Sequence, residues 1–332
     1  MYLVHSYPLA VIFTVVTMFC WGSWANTQKL ASRNWRFELF YWDYVIGILL
    51  FAILFGFTLG STGNEGRSFV NDIRQAGSGS IVNAILGGIV FNASNILLVA
   101  AMSIAGMAVA FPVGVGIALV LGVLINYMSN PRGMAWLLFA GVALIVVAIV
   151  LDALAYKKLS DSNRKVPMKG ILFSISAGVL MSLFYFFVAK SMFPDFTKPE
   201  AGKLSPYSAL LFFAAGVFLS NFIFNTLFMK KPVEGPPVNY SDYFKGGMQS
   251  HAMGLLGGII WNLGMSLNIL ASGKAGFAIS YGLGQGATLI AAFWGVFIWK
   301  EFKNATAQTN RLLLVMFLAY FAGLVLIVLA GS

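Results

Sequence analysis

Ten stretches of about twenty apolar residues follow one another along the chain, separated by short polar joints. A helix needs roughly 20 apolar residues to cross a bilayer, where every backbone N–H and C=O must be satisfied without water. The pattern predicts an all-α integral membrane protein with ten transmembrane helices. The predicted spans are residues 8–28, 37–60, 79–103, 106–128, 133–156, 168–190, 205–229, 248–272, 275–299 and 311–330.

The composition excludes several other classes of protein. Of the 332 residues, 59% are hydrophobic and 10% are charged, whereas soluble domains carry about 25% charge. The net charge of +10 does not indicate nucleic acid binding, because all 21 Lys and Arg residues lie in the joints or at helix ends. The single Cys20 offers neither a disulfide nor a metal-ligand cluster. We expect membrane lipid as a partner, and no nucleic acid, metal or other cofactor.

The basic residues are distributed unevenly between the two sides of the predicted bundle. Fourteen lie in the joints at 29–36, 157–169, 230–245 and 300–311, and seven lie on the opposite side. Basic loops are enriched on the cytoplasmic side of membrane proteins. We therefore predict a multi-pass protein of the cell (inner/plasma) membrane with both termini on the non-cytoplasmic side.

An internal repeat appears when the chain is offset by 170 residues. Residues 87–116 then align without a gap with residues 257–286. The two copies are the third and fourth spans and the eighth and ninth, so the repeat unit has five helices. An odd number of helices inverts the second copy, as in many secondary transporters. The identical pairs include Gly88/Gly258, Asn92/Asn262 and Gly114/Gly284.

This repeat divides the chain into three parts. Residues 1–156 form the first five-helix repeat, 157–167 a short cytoplasmic connector, and 168–332 the second repeat. No P-loop pattern is present, so nothing indicates nucleotide hydrolysis.

Proline and glycine fall at matching positions of the fourth and ninth spans. Proline removes a backbone donor and glycine weakens a helix. Matching interruptions in two halves point to a central binding site, and we expect these residues to line a cavity. Close helix packing is the alternative reading. The residues are Pro112, Gly114 and Gly116, and Gly282, Gly284 and Gly286.

Short motifs in the first half carry a resemblance to a known family. They are MYLV at the start, Gly22-Ser23-Trp24, the run Tyr41 to Tyr44, GGIV at Gly87, and Asn126-Tyr127. The chain resembles the plant ureide permeases, which belong with bacterial glucose and rhamnose uptake proteins in the drug/metabolite transporter superfamily. This resemblance implies ten helices, five plus five, and proton-linked uptake of ureides, nucleobases or sugars. The long cytosolic loop of the plant proteins is reduced here to about 157–166.

Amide side chains are the main candidates for solute binding. Asn92 and Asn95 are three residues apart on the third span, and Asn262 occupies the repeat position of Asn92. Gln285 lies in the interrupted ninth span. Amides donate and accept hydrogen bonds without charge, which suits a hydroxylated or ureido solute. Their alternative role is to hold helices together.

Aromatic residues are candidates for stacking on a ring. Trp24 lies deep in the first span, and Tyr185 falls on it when the sixth span is aligned with the first. Trp261 is the repeat counterpart of Phe91. A Trp beside an amide can stack on a sugar or nucleobase, although aromatics near helix ends often act as interfacial anchors.

Asp43 is the candidate for proton coupling. It lies about six residues inside the second span, where a carboxylate is costly. Its alternative role is to pair with a basic residue such as Lys29. Asp152 and His251 lie nearer span ends, and we interpret them as solvated interface residues.

These observations favour a secondary transporter for a small uncharged polar solute: a sugar, nucleoside, nucleobase or ureide. Proton-coupled uptake is the leading interpretation. An exporter of the same superfamily is the alternative, although no Glu lies mid-span in the first helix to capture cations. A membrane-embedded enzyme is a third class, but the sequence supplies no clustered intramembrane acids, nucleophile or metal ligands for it.

Overall fold

The computed structural model describes residues 1–31, 35–105, 107–159, 167–233 and 235–332. Nine helices within these residues are long and apolar enough to cross a membrane. A shorter apolar helix, Tyr7–Ser23, resumes after a two-residue turn as Asn26–Leu30. The chain is therefore an all-α integral membrane protein. Its helices are α1 Tyr7–Ser23, α2 Asn26–Leu30, α3 Phe37–Phe57, α4 Phe69–Gln75, α5 Ser78–Ala105, α6 Met107–Ser129, α7 Ala135–Leu159, α8 Met168–Ser191, α9 Pro206–Lys230, α10 Tyr240–Tyr243, α11 Met248–Ala275, α12 Phe277–Gly284, α13 Ala287–Phe293 and α14 Ala307–Ala330, with a π-helical turn at Trp294–Ile298.

Each of the ten predicted spans overlaps an apolar helix or helix pair, with most boundaries within a few residues of those predicted. The first span breaks at Trp24 and Ala25, and the ninth breaks at Gln285 and Gly286. The predicted connector falls largely on 160–166, which lies outside the described residues. Arg33, Arg164 and Lys165, used in the charge count, lie outside them too.

The fourth span is not interrupted within the described residues. Helix α6 runs from Met107 to Ser129 with Pro112 inside it, so the prediction of a matching break in this span is wrong. Proline removes only its own N–H donor, and Pro112 falls within the first two turns, so the remaining hydrogen bonds continue the helix. The ninth span does break, between α12 and α13.

Capping residues determine several helix starts. Ser205 precedes Pro206 at the first position of α9, and its hydroxyl accepts from the Ser208 N–H. Thr306 caps α14 in the same way. Hydroxyls at this position satisfy a backbone donor that has no partner inside the helix, and proline is tolerated there because its missing N–H would be unpaired anyway.

A single glycine joins α11 to α12. Gly276 has φ of +83°, a conformation that disfavours any side chain. The eighth and ninth predicted spans are therefore joined by a tight turn at Gly276.

Glycines place helices against each other in matched pairs. A Cβ on Gly88 of α5 would overlap the Phe213 carbonyl of α9, and a Cβ on Gly258 of α11 would overlap the Tyr44 carbonyl of α3. Small residues allow this close backbone approach in membranes. The contact between α5 and α9 thus has the same construction as the contact between α11 and α3.

The final helix of each half makes a reciprocal contact. A Cβ on Gly141 of α7 would lie 2.6 Å from the Gly323 carbonyl oxygen, and one on Gly323 of α14 would lie 2.7 Å from the Gly141 carbonyl oxygen. Each helix therefore uses the same surface against the other, as expected of two elements related by a two-fold axis.

Candidate functional site

A cavity of about 250 Å³ lies among α1, α2, the start of α3, α5, α6, α8, α11 and α13, beside the break at Gln285 that precedes α13. Its floor is formed by Phe91, Phe184 and Trp261, which lie near the midpoints of their helices. Toward its other end it is lined by Gln28 and Phe37, which flank the joint between α2 and α3. The cavity therefore extends from the middle of the bundle toward one end only.

Aromatic rings form much of the cavity wall. The rings of Trp21 and Trp261 are stacked, with centroids 5.8 Å apart and an angle of 13° between their planes. The ring centroid of Phe91 lies 4.2 Å from that of Trp261. The Trp21 Nε1–H donates to the Trp261 carbonyl at 3.1 Å, which fixes the ring. The remaining aromatic lining residues are Trp24, Phe37, Phe111 and Phe184.

The polar lining is uncharged. Three amides contribute, from Gln28, Asn95 and Gln285, together with the hydroxyls of Ser94 and Thr288. Asn95 Nδ2 donates to the Tyr41 hydroxyl at 3.0 Å. None of the lining residues described for this cavity carries a formal charge. The site therefore offers flat apolar faces and a few neutral hydrogen-bonding groups.

Four predicted solute-binding residues line the cavity: Trp24, Asn95, Trp261 and Gln285. Asn92, Asn262 and Tyr185 do not belong to its lining. Asn92 and Asn95 are three residues apart, slightly less than a full helical turn, so their side chains differ by about 60° around the helix. That angle is enough to put one amide in the cavity and the other in a helix contact.

The buried amides Asn92 and Asn262 hold matched helix pairs together. Asn92 Nδ2 donates to the Val217 carbonyl of α9 at 3.2 Å, and Asn262 Nδ2 donates to the Ile48 carbonyl of α3 at 2.8 Å. Both side chains are fully buried. In this conformation they have the packing role that the sequence left as the alternative.

Tyr185 belongs to a packed layer beyond the cavity floor. Its hydroxyl donates to Asn268 Oδ1 at 2.6 Å, and its ring lies 5.3 Å from that of Tyr281. Tyr281 donates to the Ala118 carbonyl at 3.1 Å. Tyr185, Asn268 and Tyr281 are fully buried. This layer therefore closes the end of the helix bundle that lies opposite to Gln28.

The predicted interruption residues lie in several different places, and only Gly114 lines the cavity. Gly114 lines the cavity, and Gly286 lies in the break beside Gln285. Gly282 and Gly284 lie within α12, where a Cβ on Gly284 would meet Trp21. Gly116 is absent from the lining of the described pockets, and Pro112 lines a smaller neighbouring pocket.

Asp43 has a basic partner that the sequence did not indicate. Its carboxylate lies 2.9 Å from His251 Nδ1 and accepts from the Tyr243 hydroxyl. The expectation of a solvated His251 is wrong, because only 22% of its side chain is exposed. Lys29, the partner considered from the sequence, lies 3.5 Å from Glu301 instead. Residues 208 positions apart give no local signal of such a pair.

Tyr243 lies in α10, outside the spans. Burial and the neighbouring Asp43 carboxylate raise the pKa of its hydroxyl, so it remains protonated and donates. Asp43, His251 and Tyr243 thus tie α3, α11 and α10 together, away from the cavity lining.

A model of the ureide permease family matches residues 40–169 and 155–331, most of the chain. The chain belongs to the ureide permease family. The resemblance found in its motifs is therefore confirmed. Membership of a permease family points to a membrane transport protein.

Curated ureide permeases resemble this family member over its whole length. Ureide permease 1 of Arabidopsis thaliana is 23% identical over 388 residues, covering 100% of this chain and 99% of the relative. Ureide permease 2 of Arabidopsis thaliana is 24% identical with the same coverage. The probable ureide permease A3 of Vigna unguiculata is 21% identical, covering 93% and 99%.

A solved crystal structure shares the fold. It superposes with a TM-score of 0.65 over 97% of this chain and 98% of the other, at 15% identity. This likeness extends to the fold alone.

Several lining residues of the cavity were missed by the sequence reasoning. Phe111 could have been predicted, because it directly precedes Pro112, one of the residues expected to line the cavity. Phe184 and Thr288 carry no sequence signal of their own, because apolar and hydroxyl residues occur throughout the spans.

Proposed function

We propose that this protein takes up a small, uncharged, planar solute of the ureide or nucleobase class by secondary transport. The observation that carries the proposal is the cavity, whose aromatic walls and neutral amides suit a flat polar molecule. Its volume of about 250 Å³ lies just below the roughly 300–1,000 Å³ of drug-sized pockets, which favours a small solute.

The free amides support this substrate class. The side-chain amides of Gln28 and Gln285 have no hydrogen-bond partner among the described residues, although both line the cavity. An amide presents one acceptor and two donor hydrogens, the complement of the N–H and C=O groups of a ureide. An uncharged wall would leave a charged solute without compensation for its lost hydration.

Sugars and nucleosides are second candidates, because the Trp faces suit either kind of ring. The plant relatives that match over their whole length are named ureide permeases, which favours ureides among these solutes. The alternative of an exporter concerns the direction of net flux, and the measurements below distinguish it.

We propose that the ten helices form two inverted five-helix repeats, 1–156 and 168–332. Three matched features support this arrangement: the Gly88 and Gly258 contacts, the Asn92 and Asn262 hydrogen bonds, and the reciprocal contact of Gly141 with Gly323. Exchange of contacts between such repeats would open the cavity at alternate ends.

In the orientation proposed for these repeats, both termini lie on the non-cytoplasmic side of the cell membrane. The open end of the cavity then faces the cytoplasm, together with the basic joints at 29–36 and 157–169. In a Cys20→Ala background, Ser332→Cys should react with an impermeant thiol reagent on intact cells. Labelling only after permeabilisation would reverse the orientation.

Uptake is proposed to be driven by protons. The sequence predicts Asp43 as the coupling group. Its pairing with His251 outside the cavity gives it an alternative, structural role, in which it holds α3 and α11 together. That structural role is called the lock. Asp43→Asn separates the two roles: loss of pH-driven accumulation with normal stability supports coupling, and loss of stability supports the lock.

The solute class is tested with purified protein and proteoliposomes. Ureides, nucleobases, nucleosides and sugars are screened by thermal shift, since a bound ligand stabilises the fold by mass action. The stabilising compounds are then assayed for counterflow. Stabilisation by sugars alone, or by none of the four classes, would overturn the ureide proposal, and net efflux under an inward pH gradient would favour the exporter.

A matched pair of amide variants tests the cavity itself. Gln285→Leu should weaken binding of the solute about tenfold, equivalent to about 1.4 kcal/mol, because it removes a hydrogen-bonding group from the wall. Asn221→Leu is the control, since Asn221 is fully buried on α9 and is absent from the cavity lining. Equal affinity in both variants would remove Gln285 from the site.

A further inference from the structure

A second acidic residue lies beside the cavity, in a place that its sequence position did not reveal. Asp152 lies in α7, and its Oδ1 is buried without a hydrogen-bond partner among the described residues. The interpretation of Asp152 as a solvated interface residue therefore does not hold for this oxygen, while the side chain as a whole is partly buried. Its carboxyl group lines a small pocket with Phe111, Pro112, Tyr156, Thr288, Ala291 and Ala292.

This side pocket adjoins the solute cavity. Phe111, Thr288 and Ala291 line both spaces. Two of these residues, Thr288 and Ala291, lie on α13, directly after the break in the ninth span. The side pocket and the cavity therefore share a wall that includes part of the short helix α13.

The groups that face Asp152 do not neutralise a negative charge. Glu301, after the π-helical turn, is the charged residue that acts on it. Tyr320 of α14 faces it with a neutral hydroxyl, and Tyr156 lies one turn further along its own helix. No ion pair joins Asp152 to a Lys, Arg or His within the described residues. The buried Oδ1 therefore lies in a pocket whose described residues supply no positive charge to pair with it.

A chain of polar groups connects this pocket with the open rim. The Tyr156 hydroxyl donates to Glu301 Oε2 at 2.6 Å, and Glu301 Oε1 lies 3.5 Å from Lys29 Nζ. The Glu301 side chain is 34% exposed, so it reaches water at the end of the bundle where the cavity opens. Tyr156 lines the side pocket itself.

We propose that Asp152, in place of the Asp43 predicted from the sequence, is the carboxyl group that binds the co-transported proton, with Tyr156 and Glu301 positioned to pass that proton to water at the open rim. The neutral acid forms by addition of one proton from water on the uptake side. On release, the Tyr156 oxygen accepts this proton while its own hydroxyl proton moves to the Glu301 carboxylate and then to water. Asp152 returns to its carboxylate form, and Tyr156 and Glu301 return to their starting states. The proposal rests on the proton-driven transport proposed above.

Solute-free protein provides the test that does not depend on the transport substrate. Infrared difference spectra between acid and alkaline pH should contain a protonated-carboxyl C=O band that disappears in Asp152→Asn and persists in Asp43→Asn. Disappearance of the band in Asp43→Asn instead would overturn the assignment. A spectrum without the band in the wild type would overturn it as well.

Proteoliposomes test the coupling. Asp152→Asn should keep counterflow exchange of the solute and lose accumulation driven by an inward pH gradient, while Glu301→Gln should slow pH-driven uptake and shift its pH profile. Asp195→Asn is the matched control: hydrogen bonds from the Thr197 hydroxyl and N–H hold the pKa of this exposed loop carboxylate below its usual value, so it does not change protonation in the working range. If Asp152→Asn is too unstable to assay, Asp152→Glu replaces it, with an altered pH midpoint expected.

Three outcomes would overturn the proposal. The first is normal pH-driven accumulation by a folded Asp152→Asn protein. The second is an unchanged pH midpoint in Asp152→Glu. The third is wild-type accumulation that follows a sodium gradient and ignores pH. Absence of counterflow in the wild type would instead count against the proposed solute, and the infrared band would still report on Asp152.

Discussion

The two ends of the helix bundle fill equivalent positions with different side chains. At the closed end, Tyr185, Asn268 and Tyr281 are fully buried and joined by hydrogen bonds and ring contacts. The repeat places Trp24, Leu98 and Phe111 at the corresponding positions of the other end, and these three residues line the cavity.

The difference lies in hydrogen-bonding capacity rather than in bulk. Asn268 accepts from Tyr185 and donates to the Ser280 carbonyl at 2.7 Å, whereas Leu98 and Phe111 have no polar side-chain atom. If the two halves are inverted repeats, as proposed, the side chains rather than the helical framework determine which end is packed in this conformation. An amide and two tyrosines hold the closed end together.

The largest effect is expected from removing a ring of the closed layer. Tyr281→Ala should lower the free energy of unfolding by about 3–5 kcal/mol, the cost of deleting a buried aromatic side chain. Phe111→Ala should lose less, because Phe111 already faces the cavity. Reversible unfolding in mixed micelles measures both, and equal losses would contradict the comparison between the two ends.

A smaller loss is expected from the hydrogen bond alone. Asn268→Leu leaves the buried Tyr185 hydroxyl without its acceptor, at a cost of about 1–3 kcal/mol. It should also loosen the closed end, so that a cysteine at Ser280, in a Cys20→Ala background, reacts faster with a thiol reagent. The control is Leu98→Asn at the equivalent position of the open end, which should leave the Ser280→Cys reactivity unchanged.

The buried amides between the two ends test whether the framework is equivalent in both halves. Each hydrogen bond of this kind contributes about 0.6 kcal/mol in one membrane protein. Asn92→Leu should cost more than Asn262→Leu, because Asn92 also bonds to Tyr41 and Ser220. Solute affinity should remain close to that of the wild type in both variants. A large loss of solute affinity with normal stability would show that Asn92 and Asn262 contribute to solute binding and not only to helix packing.

The smallest effect is expected at the open rim. Lys29→Gln removes an ion pair with Glu301 whose side chains are 52% and 34% exposed, and exposed pairs contribute about 0–1 kcal/mol. The melting temperature should therefore shift only slightly. A loss as large as that of Asn268→Leu would show that the rim is held as firmly as the closed layer.

The fold was largely predictable because its signals are local. Lengths of apolar sequence determine where helices run, and Gly276 marks the turn between α11 and α12. The candidate site was predictable in part. Four predicted residues line the cavity: Trp24, Asn95, Trp261 and Gln285. The position of Asn92 was not predictable, because a rotation of about 60° around the helix separates a cavity-facing side chain from one that faces a neighbouring helix. The sequence does not show which helices pack against α5, so it does not fix that rotation.

The sequence by itself determined that the chain spans a membrane, where its helices lie, and that two segments repeat. Those properties follow from hydrophobic length and periodicity, which act within one segment at a time. Only the tertiary structure decided that Asp43 pairs with His251, that Asp152 borders the cavity, and that one end of the bundle is packed while the other is open. These outcomes depend on contacts between residues distant in the chain, whose geometry is fixed by helix packing.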